Sequence, residues 1–265
     1  MEPLSRPGSQ TPFRLVDLPN GWTVGRFAAL DRLPGVVHMV TTRKGPSVIL
    51  ARDDRAAASD QAAEVGGLSA AAWCNQVHGA TVLAVDRAGL AGDADGLVTA
   101  APGLALAAFS ADCPLILAAD PAGGAVGIAH ASWRGTVGRI ARELIRRMAE
   151  LCPARPADIV ACICPSAGPC CYEVGQDVVQ AALAAIGKSA EHFFLTRKGK
   201  LYFDLWKANT AELLAAGLAP ANVHACGVCT MCRNDLLPSY RREGAAAGRF
   251  LALIASGGAR GRPGR

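Results

Sequence analysis

Two uncharged apolar runs, Leu115–Ala119 and residues 125–129, flank Asp120-Pro121-Ala122-Gly123-Gly124, a turn by composition. Runs this short and apolar suit strands buried on both faces, and a third, residues 104–110, precedes them. The spacing predicts further strands at 36–42, 81–85, 159–164, 223–228 and 250–255. Helices are expected at 53–63, 177–186 and 205–216. The clearest helix is 136–151. There Val137, Ile140, Leu144, Ile145, Met148 and Leu151 recur at three- and four-residue steps, with Arg139, Arg142, Arg146 and Arg147 elsewhere on the wheel as a solvated face. The pattern predicts one α+β domain with mixed β-sheets flanked by helices, spanning 21–256. A loosely attached arm at 1–20 precedes it, and a flexible Gly/Arg tail at 257–265 follows.

Composition narrows the class. Of 265 residues, 51% are hydrophobic and 18% charged, which excludes a disordered chain. Aromatics are only 5%, so Ala, Val, Leu and Ile must fill the core. The net charge of +5 is mild and falls partly on Arg260, Arg262 and Arg265 of the tail. That is a solvated end rather than a nucleic-acid footprint, so no nucleic-acid partner is expected. The most apolar stretch, 96–111, is shorter than the roughly 20 residues a membrane helix needs and contains Pro102 and Gly103. No membrane association is expected. The N-terminus (MEPLSRPGSQ) lacks a secretory pattern, so the expected location is cytoplasmic. Seven of the ten cysteines cluster at Cys162, Cys164, Cys170, Cys171 and at Cys226, Cys229, Cys232, as reduced thiols or metal ligands rather than a disulfide framework.

A hairpin centred on Ala122 brings Cys113 within one residue of facing His130 at its open end, where Cβ atoms lie about 5 Å apart. Pro114 pushes Cys113 towards extended backbone at a strand boundary. His130 begins a strand-to-helix junction, Ala131-Ser132-Trp133-Arg134-Gly135. His78, beside Gly79, stands at the end of the 81–85 strand. His78, Cys113 and His130 together would offer two imidazoles and one thiolate, the three-ligand arrangement of a catalytic zinc with one position open. The bland alternative is a buried apolar thiol and two satisfied core histidines, and spacing alone leaves both open.

Several segments make the sequence recognisable. They are Thr41-Thr42-Arg43, Gln76-Val77-His78-Gly79, Ala94-Asp95-Gly96-Leu97-Val98-Thr99, Ala111-Asp112-Cys113-Pro114 and Ala129-His130-Ala131-Ser132-Trp133-Arg134-Gly135. Downstream come Ala167-Gly168-Pro169-Cys170-Cys171-Tyr172-Glu173-Val174-Gly175, Cys229-Thr230 and Ser239-Tyr240-Arg241-Arg242-Glu243-Gly244. Weak singly and specific together, they run in order from about residue 35 to 255. The chain resembles the laccase-domain family, also called the YfiH-type or peptidoglycan-editing-factor family.

The resemblance implies a layered α/β/β/α-like fold and His78, Cys113 and His130 as zinc ligands. It also implies purine nucleosides as substrates, with phosphorolysis of adenosine, inosine and methylthioadenosine and deamination of adenosine as the reactions. The partners are then a small-molecule nucleoside and phosphate, with the chain a monomer or weak homodimer. Arg43 and Arg134, beside matched motifs, are the candidates to grip phosphate. Asp112 could orient a ligand imidazole or cap a turn. The departures are Lys44-Gly45-Pro46-Ser47 in place of a Gly-Gly and an Asn-bearing loop, Leu237-Pro238 in place of paired Phe, and Ser132 in place of Gly. They touch the pocket rim rather than the ligands.

Other chemistries are weighed beside this one. The H-x-E and P-C-x-x-C signature of cytidine deaminases is absent. A multicopper oxidase needs more imidazoles than five histidines provide, although copper competes for a two-His, one-Cys site. Cys113 and His130 could instead be nucleophile and base of a hydrolase editing a peptidoglycan precursor. A metal-storing protein without catalysis is a third reading. Cys226-x-x-Cys229-x-x-Cys232 lacks the fourth cysteine of a cluster motif, because position 236 is Leu, and a zinc knuckle fails by count unless Cys162, Cys164, Cys170 or Cys171 supplies ligands. Asp93-Ala94-Asp95-Gly96 fails as a calcium loop, with Leu at 104.

Overall fold

The computed structural model describes residues 12–46, 52–122, 124–152 and 154–257. The strands, in chain order, are β1 (Phe13–Asp17), β2 (Thr23–Phe27), β3 (Val36–Thr41), β4 (Ala71–Asn75), β5 (Val82–Ala84), β6 (Gly89–Asp93), β7 (Gly96–Thr99) and β8 (Ala105–Ser110). They continue as β9 (Leu115–Ala119), β10 (Val126–His130), β11 (Val160–Ile163), β12 (Glu173–Val174), β13 (Phe194–Arg197), β14 (Lys200–Phe203), β15 (Val223–Ala225) and β16 (Phe250–Ser256). The helices are α1 (Ala28–Asp31), α2 (Arg52–Val65), α3 (Trp133–Val137), α4 (Ile140–Leu151), α5 (Gln176–Ile186), α6 (Leu205–Ala215) and α7 (Tyr240–Glu243). Among the described residues no helix is long and apolar enough to cross a membrane.

Two mixed sheets face each other. One runs β1-β2-β3-β16-β8-β4-β6 and the other β15-β11-β9-β10-β7-β5, with a small β12-β14-β13 sheet to one side. The side-chain period of two explains the layering. In β9, Leu115 and Leu117 point between the two large sheets, where they meet Leu106, Ile128 and Ile254. Ile116 and Ala118, one residue out of phase, point the other way onto α4, against Ile140 and Leu144. Across the first sheet, Trp73, Phe109 and Leu253 pack on Ala58 and Ala62 of α2. The order is helix, sheet, sheet, helix, and each central strand is buried on both faces, as its unbroken apolar run predicts. Leu117 is fully buried between the sheets. Leu117→Ala is expected to destabilise the fold by about 2–5 kcal/mol, read as a lower urea midpoint.

Four expectations change. The supposed arm is partly structural, since residues 13–17 form β1 and pair along their whole length with β2. Its residues 1–11, and 258–265 of the tail, lie outside the described residues. The single helix over 136–151 is two helices. Arg139 takes the left-handed φ of +63° after Gly138 and breaks the ladder. The break lets Val137 join the cluster of α5 and α6 while Ile140 and Leu144 turn onto the second sheet. Residues 223–228 keep only the three-residue β15. Finally, the hairpin register pairs Leu115 with His130 and Ala119 with Val126. Cys113 therefore lies two residues beyond the ladder rather than across from His130.

Candidate functional site

Three segments converge at the open end of the β9–β10 hairpin. His130 closes β10, His78 sits in the turn between β4 and β5, and Cys113 lies in the loop before β9. That loop reaches the site by an unusual route. Asp112 adopts a φ of +105°, and Pro114 ends the excursion by starting the strand geometry again. The strained conformation is held from both sides. Thr230 Oγ1 donates to Asp112 Oδ1 at 2.6 Å, and the Arg241 N–H donates to Oδ2 at 2.7 Å. Ala167 N–H donates to the Asp112 carbonyl at 2.8 Å. Asp112 thus anchors loops and does not touch an imidazole.

The donor atoms of His78, Cys113 and His130 all lie within 4.8 Å of one another, a spacing that one metal ion can bridge. The two imidazoles meet edge to face, with centroids 4.9 Å apart. His130 is buried and Cys113 half-buried. Asp95 organises the set, a role not foreseen from the sequence. Its Oδ1 accepts His130 Nδ1–H at 2.8 Å and the His78 N–H at 3.0 Å, and its Oδ2 accepts the Gly79 N–H at 2.6 Å. The first of these fixes the tautomer and leaves His130 Nε2 free to ligate. The other two hold the left-handed φ of +63° at His78. Gly135 completes the close approach, since a Cβ there would stand 2.7 Å from the Gly79 carbonyl oxygen. Ser132 caps α3, with its Oγ accepting the Gly135 N–H at 3.1 Å.

The electrostatics agree with the geometry. Burial opposes ionisation of Cys113, but the adjacent His130 and His78 outweigh it and lower the thiol to about 6. Burial likewise opposes charge on His130, but the Cys113 thiolate and the Asp95 carboxylate raise it to about 9. Cys113 and His130 thus each draw the other towards its charged form. Asp95 is pushed up by its burial and pulled down further by hydrogen bonds from His130, Gly79 and His78, so its carboxyl stays below the usual range.

A cavity of about 310 Å³ opens over these donors, at the small end of the roughly 300–1,000 Å³ usual for small-molecule sites. Its apolar faces include Phe109, Tyr172 and Tyr240, and its cations are Arg55, Arg241 and Arg249. Arg55 makes no ion pair among the described residues, and its buried Nε has no hydrogen-bond partner. Among the described residues Arg249 donates only to the Ala247 and Gly248 carbonyls. Arg241 stacks on Tyr172 at 4.6 Å.

The two arginines expected from the sequence stand elsewhere. Arg43 is engaged with Glu243 Oε1 at 2.5 Å and with the Asn234 carbonyl at 2.7 Å, and it does not line the cavity. Arg134 stacks on Trp133 at 4.3 Å and lines a neighbouring cleft that shares Tyr172 and Arg241 with the first. The remaining histidines stay apart. Nε2 of the buried His38 accepts the Phe27 N–H at 2.8 Å, His192 is exposed, and His224 lines a different pocket.

Comparison with known proteins places this geometry. Residues 50–257 match the family described as multi-copper polyphenol oxidoreductase laccase. A Deinococcus radiodurans protein named purine nucleoside phosphorylase is 38% identical over 234 residues, covering 83% of this chain and 88% of its own. A protein named adenosine deaminase RL5, from an unknown prokaryotic organism, is 37% identical over 167 residues, 60% of this chain and 61% of its own. The crystal structure of the Bacillus licheniformis hypothetical protein YfiH superimposes with a TM-score of 0.81 at 27% identity, over 92% of this chain and 98% of that one.

Proposed function

We propose a function from one premise, that this chain belongs to the multi-copper polyphenol oxidoreductase laccase family. It is a zinc-dependent purine nucleoside phosphorylase acting on adenosine, inosine and methylthioadenosine, with deamination of adenosine as a side activity. The observation that carries this reading is the convergence of two imidazoles and one thiolate beneath a cavity lined by Arg55, Arg241 and Arg249, none of them ion-paired among the described residues.

The donor set fits zinc. Two nitrogens and one sulfur suit its borderline character, and three protein ligands match a catalytic rather than a structural site. A zinc ion held by His78, Cys113 and His130 would supply Lewis acidity at one open position. Copper competes for the same donors, so the metal found in a preparation does not decide the chemistry. Multicopper oxidation is disfavoured because His38, His192 and His224 do not join the site.

Phosphorolysis forms a bond from a phosphate oxygen to C1′ of the ribose and breaks the C1′–N9 bond, and the purine leaves with a proton. Phosphate needs cations that are not already neutralised. Arg55 and Arg249 meet that need better than Arg43, whose fork is occupied by Glu243. Phe109, Tyr172 and Tyr240 offer flat apolar faces for a purine. Deamination replaces the adenine amino group by water-derived oxygen and releases ammonia, and it needs no phosphate. A relative named adenosine deaminase supports that activity.

The test is chromatography of inosine and adenosine incubated with the pure protein, with and without phosphate. Phosphate-dependent hypoxanthine and adenine are the expected products, with phosphate-independent inosine from adenosine. No base release under any condition overturns the reading. Initial rates against phosphate test the anion site separately. Arg249→Ala is expected to raise KM for phosphate about tenfold, the loss of one charged hydrogen bond. Arg43→Ala leaves that KM unchanged and lowers stability by about 1 kcal/mol.

A further inference from the structure

We infer that Cys170, Cys171, Cys229 and Cys232 form a second metal site, a four-thiolate centre that holds structural zinc apart from His78, Cys113 and His130. Their sulfurs all lie within 4.8 Å of one another. Cys232 Sγ stands 3.5 Å from Cys170 Sγ and 3.4 Å from Cys171 Sγ. Two sulfurs bound tetrahedrally at about 2.3 Å from one zinc are about 3.8 Å apart. A disulfide needs about 2.05 Å, and a pairwise bond would leave the other two thiols of the group unexplained. All four are free thiols.

One backbone contact favours negative charge at Cys229. The Gly168 N–H donates to Cys229 Sγ at 3.2 Å, a contact that favours a thiolate. Four thiolates around one zinc ion carry two net negative charges, and each thiol gives up its proton to solvent on binding. Two guanidinium groups flank the cluster. Arg242 Nε donates to the Met231 carbonyl at 3.1 Å, one residue before Cys232, and Arg197 donates to the Pro169 carbonyl, one residue before Cys170.

The position gives the site its purpose. Residues 226–239 run without a strand or helix, a length that compact domains seldom leave untied. The cluster joins this loop to residues 166–172, and the same two loops grip Asp112 through Thr230 and Ala167, with Arg241 of α7 adding a third bond. Zinc here would fix the frame in which Cys113 is presented. Cys226 belongs elsewhere, packed with Cys162 and Cys164 against the core between the sheets.

The experiment is metal analysis of the full-length protein purified in reductant, read as zinc per chain. The wild type is expected to hold two, Cys113→Ala one, Cys232→Ser one, and the double variant none. The expected Cys232→Ser protein also melts several degrees lower. Cobalt(II) loading of Cys113→Ala is expected to show the strong sulfur-to-metal absorption of a four-thiolate centre, and Cys232→Ser to lack it. A wild type with a single zinc that Cys113→Ala removes completely overturns the proposal, as does cobalt-loaded Cys113→Ala without that absorption. If Cys232→Ser does not fold, the wild-type count and the Cys113→Ala spectrum still decide. Failure of the catalytic reading is distinguishable, because it would leave the Cys113→Ala count and spectrum unchanged.

Discussion

Cys113→Ala is expected to abolish phosphate-dependent base release and to remove the metal held between His78 and His130. The sulfur is the only anionic donor among the three, so its loss leaves two neutral or cationic imidazoles at close range. Outer-shell partners of a metal site already cost 10–100-fold when removed, so the loss of a ligand should exceed about 100-fold in kcat/KM. Chromatography and metal analysis of the same preparation check both halves. Turnover equal to the wild type excludes Cys113 from the chemistry.

The same cysteine separates metal-dependent catalysis from nucleophilic hydrolysis. In the metal-free protein the thiol is lowered to about 6 by His130 and His78 despite its burial. Alkylation by iodoacetamide should therefore rise through pH 6, because the reactive thiolate is present above that value and lost below it. With zinc bound, the sulfur is shared with the ion and alkylation slows. Chelation is expected to stop catalysis while speeding alkylation. A protein that keeps full activity after chelation, yet loses it on alkylation, is instead a cysteine hydrolase.

Much of this site is legible in the sequence because its three donors flank short apolar strands. A hairpin prediction needs only the turn residues and the two runs beside them, and these brought Cys113 near His130. Cys113 instead lies two residues beyond the ladder, in a loop whose Asp112 takes a left-handed conformation held by Thr230 and Arg241 from more than a hundred residues away. No local pattern carries that information. The positions of the phosphate candidates are hidden for a related reason. Arg43 lies beside a recognisable segment, but its fork meets Glu243, two hundred positions downstream. Arg55 and Arg249 come from α2 and from the segment before β16, and only the packing of the first sheet brings both to the cavity. The cysteine pattern misleads in the opposite direction. The even spacing of Cys226, Cys229 and Cys232 suggests one group, yet Cys226 is drawn into the core, and the partners come from the vicinal pair Cys170 and Cys171. Asp95 had a signal in its Asp-Gly segment, but the segment read as a failed calcium loop rather than as a carboxylate serving an imidazole.

Asp95→Asn is expected to weaken metal binding about 10–100-fold and to destabilise the protein by at least about 2 kcal/mol. Both carboxylate oxygens of Asp95 accept hydrogen bonds, from His130 and His78 on one side and from Gly79 on the other. An amide has one acceptor and one donor, so either orientation turns an N–H towards an N–H. If the amide nitrogen faces His130, the imidazole must change tautomer and present Nε2–H where a ligand needs a lone pair. If it faces Gly79, the turn loses an acceptor that offsets the left-handed strain at His78, a strain of about 1–2 kcal/mol. Either way a buried donor is left without a partner, at about 1–3 kcal/mol. Competition with a chelator measures the affinity, and urea unfolding measures the stability. The metal-free protein should show the stability loss as well, because the hydrogen bonds to His78 and Gly79 do not depend on the ion. Unchanged chelator competition together with an unchanged urea midpoint would remove Asp95 from the site, and with it the explanation of why His130 presents Nε2.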